Sequence, residues 1–221
     1  PIPQIKRISL DIEVDSDTGR IPDPKIAEKR ITAIGFEASD GLKQVFVLRR
    51  SDAQEGVNEL LSGVEIIFYD ETKEKEMILD VFELVQKYPL LITYNGDGFD
   101  LPYLYNRADK LGIEREKNPF YMMRDSATLR KGVHLDLYRT MSNRAFQIYV
   151  FGQKYTDFSL NSVANGVLNE KKIDYGIELN DLSLYQTAKY CQNDARLTFN
   201  LTSFNNDLLM NLLIVISRIA R

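Results

Sequence analysis

An alternating stretch close to the N-terminus constrains the fold more than any other part of the chain. Residues 8–14 switch strictly between apolar and polar side chains. This predicts a β-strand with Ile8, Leu10, Ile12 and Val14 on one face and Ser9, Asp11 and Glu13 on the other. Asp11 and Glu13 then lie about 6.6 Å apart along the strand, and two buried carboxylates at that separation need a counterion or a shared proton. Taken alone, the stretch favours a solvated strand face with two surface acids over a metal site.

Composition limits the class of protein. With 221 residues, of which 44% are apolar, the chain can bury a core as one domain or at most two. Its single cysteine, Cys191, cannot form an intramolecular disulfide, which fits a reducing compartment. No signal-like segment opens the chain, and the longest apolar run, residues 208–216, is too short to span a bilayer, so we expect an intracellular protein. The net charge of −4 argues against a basic surface spread over the whole molecule.

Hydrophobic periodicity predicts one α/β domain in which helices pack on a mixed sheet. Strands are predicted at 4–14, 31–37, 43–49, 64–69, 90–94 and 133–138. Helices are predicted at 72–88, from Asp100 to about Gly112, at 139–149, at 159–168, and from 181 onward with a break near Asn205 and Asn206. Residues 15–29 are predicted as loop, and 113–131 as a small hairpin or loop.

Two further stretches carry acids in places where ligands commonly bind. Asn95 and Asp100 lie where the buried strand 90–94 turns into a helix, and crevices at strand ends of α/β sheets commonly hold ligands. Asp100 alone could be a helix cap. Tyr190 and Asp194 are four residues apart on a helix, so their side chains are neighbours. Each also has a structural alternative, since Tyr190 could be core and Asp194 could pair with Arg196 or Lys189 at the surface.

Taken together, the three stretches indicate a function much more specifically than any one of them does alone. Asp-x-Glu on a strand, Asn-x-x-x-Phe-Asp at a strand–helix junction and Tyr-x-x-x-Asp on a late helix resemble, in this order, the three exonuclease motifs of the DEDD superfamily. The tyrosine is typical of the DEDDy subgroup. Residues 134–138, 158–164 and 171–174 resemble segments of the proofreading domains of family B DNA polymerases, most closely the archaeal ones, and the similarity covers nearly the whole chain.

The resemblance implies a fold, a reaction and a set of site residues. The fold is ribonuclease H-like, a mixed sheet flanked by helices. The metal ligands are Asp11, Glu13, Asp100 and Asp194, which hold two divalent ions, Mg²⁺ or Mn²⁺. Asp11 is expected to bridge both ions, and Tyr190 to orient the attacking water. Asn95 and Phe99 are expected to bind substrate, although core packing is an equal alternative for Phe99. The expected reaction removes 3′-terminal nucleotides from DNA and releases nucleoside 5′-monophosphates.

The same resemblance sets the expected domain boundaries and partners. Residues 1–221 are predicted to form a single exonuclease domain excised from a larger family B DNA polymerase, because no polymerase palm motif occurs in the chain. The expected partners are single-stranded DNA or a frayed primer 3′ end, the remainder of the polymerase chain and, through the full-length protein, a sliding clamp. We expect it in the cytoplasm, associated with the nucleoid, and expect no membrane contact. Two alternatives stay open: a DEDDy nuclease acting on RNA, and a catalytically silent binding domain. His134 and Asp136 are predicted to be structural.

Overall fold

A mixed β-sheet with helices on both faces forms the centre of the molecule. The computed structural model describes residues 3–16, 20–60, 62–124 and 126–219. The strands in these ranges are Arg7–Val14 (β1), Ile31–Ala38 (β2), Lys43–Leu48 (β3), Glu65–Tyr69 (β4), Leu90–Thr93 (β5), Phe120–Met122 (β6), Ala127–Leu129 (β7) and Val133–Asp136 (β8). The α-helices are Glu74–Val85 (α1), Asp100–Lys110 (α2), Leu137–Met141 (α3), Leu160–Leu168 (α4) and Leu184–Ile219 (α5).

The main sheet has the strand order β4-β3-β2-β1-β5-β8. Strands β1, β2 and β3 form an antiparallel meander, whereas β4, β5 and β8 each join a neighbour in parallel. This confirms the predicted mixed sheet flanked by helices, and the arrangement is consistent with a ribonuclease H-like fold. The sheet brings the C-terminal ends of β1, β5 and β8 side by side, which places the segments that follow them at one edge of the sheet.

Strand β1 is buried on both faces. Its apolar residues, Ile8, Leu10, Ile12 and Val14, join the core that also holds the buried side chains of α1 and α2. The opposite face lies under α5, where the Ser9 hydroxyl donates to the Ala195 carbonyl oxygen at 2.8 Å. The alternation along β1 is therefore as predicted, but the solvated face favoured by this stretch alone is wrong. Asp11 and Glu13 lie at the end of a covered surface.

A glycine in β2 allows α5 to pack this closely. A Cβ atom added at Gly35 would lie 2.7 Å from the Cys191 carbonyl oxygen, so a larger residue there would push the helix away from the sheet. The close approach matters because Tyr190 and Asp194, which are one helical turn apart on α5, flank Cys191 in the sequence. Strand β2 therefore sets how far these two side chains reach toward β1.

One predicted helix is divided in the structure. The helical segment predicted at 139–149 is present as the short α3, whose N-terminus is capped by the Asp136 carboxylate, and a π-helical turn at Phe146–Val150. The hairpin predicted as one option for 113–131 is present as β6 and β7, which pair antiparallel. The predicted break in α5 is confirmed, since Asn205 and Asn206 have φ values of +48° and +54°. Within the described ranges, no helix is long and apolar enough to cross a membrane.

Candidate active site

One cleft gathers the acids of all three sequence stretches. It has a volume of about 780 Å³ and is lined by the side chains of Asp11, Glu13, Asp100, Tyr190 and Asp194. We call it the acid cleft. Asn95 and Phe99, the two residues expected to bind substrate, also line it. The structure therefore places every sequence-predicted site residue around the same space.

Asp100 connects α2 to β1. It is the first residue of α2 and only 5% exposed. The N-cap position of α2 is Phe99, and the Asp100 carboxylate accepts a hydrogen bond from the backbone N–H of Ile12 at 3.1 Å. The helix-cap alternative for Asp100 is thus wrong. The contact with Ile12 holds the carboxylate beside the part of β1 that lies between Asp11 and Glu13.

Asp194 is buried and pairs with a lysine that the sequence did not single out. It is 2% exposed, and its Oδ2 lies 2.5 Å from the Nζ of Lys172, in the segment between α4 and α5. Its other oxygen, Oδ1, is buried and has no hydrogen-bond partner among the described residues. The surface pairings proposed as alternatives do not form, because Arg196 pairs with Glu170 and Lys189 with Glu59.

Lys172 also contacts the tyrosine of the site. Its ammonium nitrogen lies 5.1 Å from the centroid of the Tyr190 ring, a distance at which a cation is attracted to an aromatic face. Burial lowers the pKa of Lys172, but the charges of Asp194 and Asp11 outweigh burial and raise it, so the side chain stays protonated. The sequence indicated only indirectly that a cationic residue such as Lys172 would lie in the site. Four acids brought together need a cation, but their spacing does not show which loop supplies it.

The acids hold their protons more tightly than free carboxylates do. Burial, followed by the charges of Asp194, Asp100 and Glu13, raises the pKa of Asp11 well above its usual value. Burial and the charge of Asp194 raise the pKa of Glu13 to about 8, and burial raises the pKa of Asp100 to about 7. Burial also raises the pKa of Asp194, although Lys172 opposes the change. One lysine is therefore too little positive charge for this cluster.

The donor set fits a hard divalent cation. All four acids offer carboxylate oxygens, the ligands that Mg²⁺ and Mn²⁺ prefer, and the unpartnered Oδ1 of Asp194 is a buried acceptor that needs a positive partner. Potential ligand atoms of Asp11, Glu13 and Cys191 lie within 4.8 Å of one another. The Cys191 thiol, however, donates to the Asp11 backbone carbonyl at 3.4 Å, and burial raises its pKa, so it is a protonated neighbour rather than a thiolate ligand.

Asp136 holds the loop that leads into Asp100 through hydrogen bonds to its backbone. The Asp136 carboxylate accepts hydrogen bonds from the backbone N–H groups of Asn95 at 2.8 Å and Asp97 at 3.0 Å. Asn95 has a φ of +63°, a left-handed conformation that asparagine tolerates better than most residues. Its exposed side chain lies at the rim of the acid cleft. Asp136 is therefore structural, as predicted, but it acts directly on the loop that carries a site residue.

His134 and Phe99 also have defined contacts. The His134 ring lies between the Thr93 hydroxyl at 2.7 Å and the Ala127 carbonyl oxygen at 3.0 Å, below the loop and outside the acid cleft. This placement agrees with the predicted structural role. Phe99 is half-buried, with its ring centroid 5.5 Å from that of Tyr103, and it also lines the cleft. The two alternatives for Phe99 are thus compatible, because the residue packs against the core and also lines the cleft.

A mixed sheet flanked by helices, with four carboxylates and a tyrosine gathered at the ends of its central strands, is the architecture of a ribonuclease H-like nuclease. Comparison with known families makes the assignment specific. The family model for the exonuclease domain of DNA polymerase family B matches residues 1–163. The chain belongs to this family.

Relatives in the archaea resemble the chain over its full length. DNA polymerase 1 of Saccharolobus solfataricus is 40% identical over 222 aligned residues, which cover 100% of this chain and 25% of that protein. DNA polymerase 1 of Sulfolobus acidocaldarius is 38% identical over 221 residues, with the same coverage of 100% and 25%. A DNA polymerase of Thermococcus aggregans is 29% identical over 84% of this chain and 11% of its own length. The chain spans about a quarter of the length of the first two relatives.

Proposed function

We propose that residues 1–221 form a single 3′–5′ exonuclease domain that removes terminal nucleotides from DNA, as the proofreading part of a longer family B DNA polymerase. One observation carries the proposal: Asp11, Glu13, Asp100 and Asp194 line one cleft together with Tyr190. Their raised pKa values and the unpartnered oxygen of Asp194 show an excess of negative charge that no described side chain neutralises fully. A site of that kind suits divalent cations, and only with cations bound does it suit a negatively charged phosphodiester.

Asp11, Glu13, Asp100 and Asp194 would hold two divalent ions, Mg²⁺ or Mn²⁺. When bound, such ions neutralise charge on the phosphate and lower the pKa of water. Asp11 is the central ligand, since the charges of all three other acids act on it. Because burial raises the pKa values of these four acids, cations and protons compete for them in this assignment.

Tyr190 would orient the attacking water. Burial raises the pKa of its phenol, which therefore keeps its proton at neutral pH and acts as a hydrogen-bonding group rather than as a base. The water oxygen forms a bond to phosphorus while the bond from phosphorus to the 3′ oxygen of the penultimate nucleotide breaks, and that oxygen takes up a proton. The products are a nucleoside 5′-monophosphate and a strand shortened by one nucleotide.

Asn95 and Phe99 would receive the terminal nucleotide. The Asn95 amide lies at the rim of the acid cleft, where it can hydrogen-bond to a base or sugar, and Phe99 offers a ring on which a base can stack. Neither contact distinguishes one base from another strongly. A frayed or mismatched end enters more easily, because it is already unpaired. The partners that follow are a primer 3′ end, the rest of the polymerase chain and a sliding clamp reached through the full-length protein.

A cleavage assay tests the activity. The chain is incubated with 5′-labelled single-stranded DNA, or with RNA of the same sequence, in Mg²⁺, Mn²⁺ or EDTA, beside the double variant Asp11→Ala/Glu13→Ala. We expect metal-dependent shortening of the DNA from its 3′ end, and none by the double variant. Preference for RNA would favour a ribonuclease. Absence of any shortening, together with an unchanged melting temperature in Mn²⁺, would favour a catalytically silent domain, because a ligand that binds only the folded state must stabilise it.

A further inference from the structure

The segment between α4 and α5 carries Lys172 into the acid cleft. Helix α4 ends at Asn169, whose left-handed backbone, with a φ of +57°, redirects the chain. Three residues later, the ammonium group of Lys172 meets the carboxylate of Asp194. A lysine side chain is a flexible four-carbon stem, so the place of its ammonium group depends on how firmly the backbone beneath it is held.

Both polar groups of the peptide between Lys171 and Lys172 are engaged. The Lys172 N–H donates to Oδ1 of Asn161, on α4, at 3.0 Å. The Lys171 carbonyl oxygen accepts from Nδ2 of Asn193, on α5, at 3.5 Å. Because a peptide unit is planar, these two bonds to different helices fix its orientation. They therefore also fix the direction in which the Lys172 side chain leaves the backbone.

Arg196 connects this peptide to the residue before it. Its Nη2 donates to Oδ1 of Asn193 at 2.9 Å, which turns the amide nitrogen of Asn193 toward the Lys171 carbonyl oxygen. Its Nη1 lies 2.5 Å from Oε2 of Glu170. The guanidinium group is planar and rigid, so it holds both partners in one geometry. Arg196 itself is not among the described residues that line the acid cleft.

We propose that Arg196 positions Lys172 in the acid cleft. By holding Asn193 and Glu170, it fixes the backbone from which the lysine side chain extends. The ammonium group then stays 2.5 Å from Oδ2 of Asp194. A residue outside the cleft thus determines where this cation lies within it. The inference rests on the proposed exonuclease function and adds to it a dependence on a residue that touches neither substrate nor metal.

A double-mutant cycle tests the link between the two residues. Its four proteins are the parent, Arg196→Met, Lys172→Met and the variant that carries both changes. The control cycle replaces Arg196→Met with Arg107→Met. Arg107 lies in the last turn of α2 and is buried to a similar extent, with its side chain 11% exposed against 18% for Arg196. Its Nη2 also pairs with a glutamate, 2.6 Å from Oε2 of Glu74.

The cycle is first measured by cleavage of single-stranded DNA in Mn²⁺. We expect Arg196→Met and Lys172→Met to lower kcat by similar factors of about 10–100, because each removes the ammonium group from its place beside Tyr190. The double variant should lose no more than Lys172→Met alone. Arg107→Met should leave kcat unchanged in either background. Losses that multiply in the double variant would overturn the inference, since Arg196 would then act independently of Lys172.

Melting temperatures provide a readout that needs no activity. In EDTA, the double variant should lose less than the sum of the two single losses, whereas the losses in the control cycle should add. In Mn²⁺, Arg196→Met should change the gain in melting temperature in the same direction as Lys172→Met. Additive losses in EDTA for Arg196 and Lys172 would also overturn the inference. If the unmodified chain cleaves no DNA, the proposed function fails, and the cycle in EDTA alone decides whether Arg196 acts through Lys172.

A second variant keeps the test independent of whether Arg196→Met folds. Asn193→Leu removes the hydrogen bond to the Lys171 carbonyl oxygen and retains the ion pair between Arg196 and Glu170. In the same cycle with Lys172→Met, it should lower kcat without adding to the loss caused by Lys172→Met. Losses that multiply here would show that the orientation of the peptide does not determine the position of the lysine.

Discussion

Asp11 occupies the most demanding position among the residues of the acid cleft. The charges of Asp194, Asp100 and Glu13 all act on its carboxylate, so Asp11 is the acid that lies within the influence of all the others. We therefore expect Asp11→Ala to lower kcat more than Glu13→Ala does. Substitution of a residue that only orients a metal ligand commonly costs about 10–100-fold, so the loss of Asp11 should cost more than about 100-fold. Single-turnover cleavage of single-stranded DNA in Mn²⁺ measures both values.

The amide variants Asp11→Asn and Glu13→Gln are the matched controls, because they preserve shape and remove only the charge. They should rank in the same order as the alanine variants. Equal or reversed losses in either pair would contradict the central role of Asp11. Circular dichroism of each variant separates a loss of function from a loss of fold.

Lys172 provides a separate test, because it partly neutralises the cluster in the metal-free protein. Lys172→Met removes the ammonium group beside Asp194 and keeps a side chain of similar length. We expect the metal-free protein to lose about 1–3 kcal/mol of stability, since a buried carboxylate is left without its partner. We expect Mn²⁺ to raise the melting temperature more in this variant than in the parent, because the acid cleft of the variant carries a greater negative charge. Thermal unfolding with and without Mn²⁺ measures both effects.

Lys189→Met is the control for this prediction, since Lys189 pairs with Glu59 outside the acid cleft. It should change neither the stability of the metal-free protein by more than a few tenths of a kcal/mol nor the gain with Mn²⁺. A smaller gain with Mn²⁺ in Lys172→Met than in the parent would show that the lysine supports the cation instead of competing with it.

At the scale of elements, the loop between β5 and α2 depends on β8, the strand that pairs with β5 in the sheet. Asp136, at the end of β8, bonds to the backbone of Asn95 and Asp97 and also caps α3. We expect Asp136→Ala to lower kcat for 3′–5′ cleavage about 10–100-fold, in the range seen when a supporting residue is lost. The reason is that Asn95, and the start of α2 that carries Asp100, lose their anchor.

Asp136→Asn is the graded control. Its amide oxygen can still accept from the Asn95 and Tyr138 N–H groups, but the amide nitrogen cannot accept from Asp97. Its kcat should therefore lie between those of the parent and the alanine variant. Equal kcat values in all three proteins, with the fold intact, would show that the loop keeps its conformation without this carboxylate.

The elements also show what local sequence could and could not predict. The alternation in β1 and the paired asparagines in α5 act locally, so the strand and the break were predictable. The division of the predicted helix at 139–149 was not predictable in this way, because Asp136 caps a helix that begins early and a π-helical turn follows it. The partial burial of Asp11 and Glu13 required α5, about 180 residues later, and the pairing of Lys172 with Asp194 required a loop whose path only tertiary packing determines. The order of the motifs in the sequence was enough to identify the acids, but their surroundings depend on long-range packing.

At the scale of the whole molecule, the acid cluster couples both folding and metal binding to protonation. The pKa of Glu13 is raised from 4.5 to about 8, and that of Asp100 from 3.8 to about 7, chiefly by burial. Between the unfolded and folded pKa values, the folded protein binds more protons than the unfolded chain does. Its stability is therefore greatest below the unfolded values and falls as the pH rises toward the folded ones. Metal-free protein should melt at progressively lower temperature between about pH 5 and about pH 8.

This dependence of the melting temperature on pH can be tested by the size of its slope and by the reversal of that slope in Mn²⁺. A net difference of one proton changes stability by about 1.4 kcal/mol per pH unit, and about 1 kcal/mol corresponds to about 2–4 °C in a chain of this size. The variant Glu13→Gln/Asp100→Asn should flatten the slope, because neither position can then ionise. Saturating Mn²⁺ should reverse it, since a cation that binds ionised carboxylates competes with protons and binds more tightly as the pH rises. Calorimetry in EDTA and in Mn²⁺ across this range distinguishes the cases. A metal-free melting temperature that rises with pH would mean that the acids ionise freely and that the folded chain does not crowd them together.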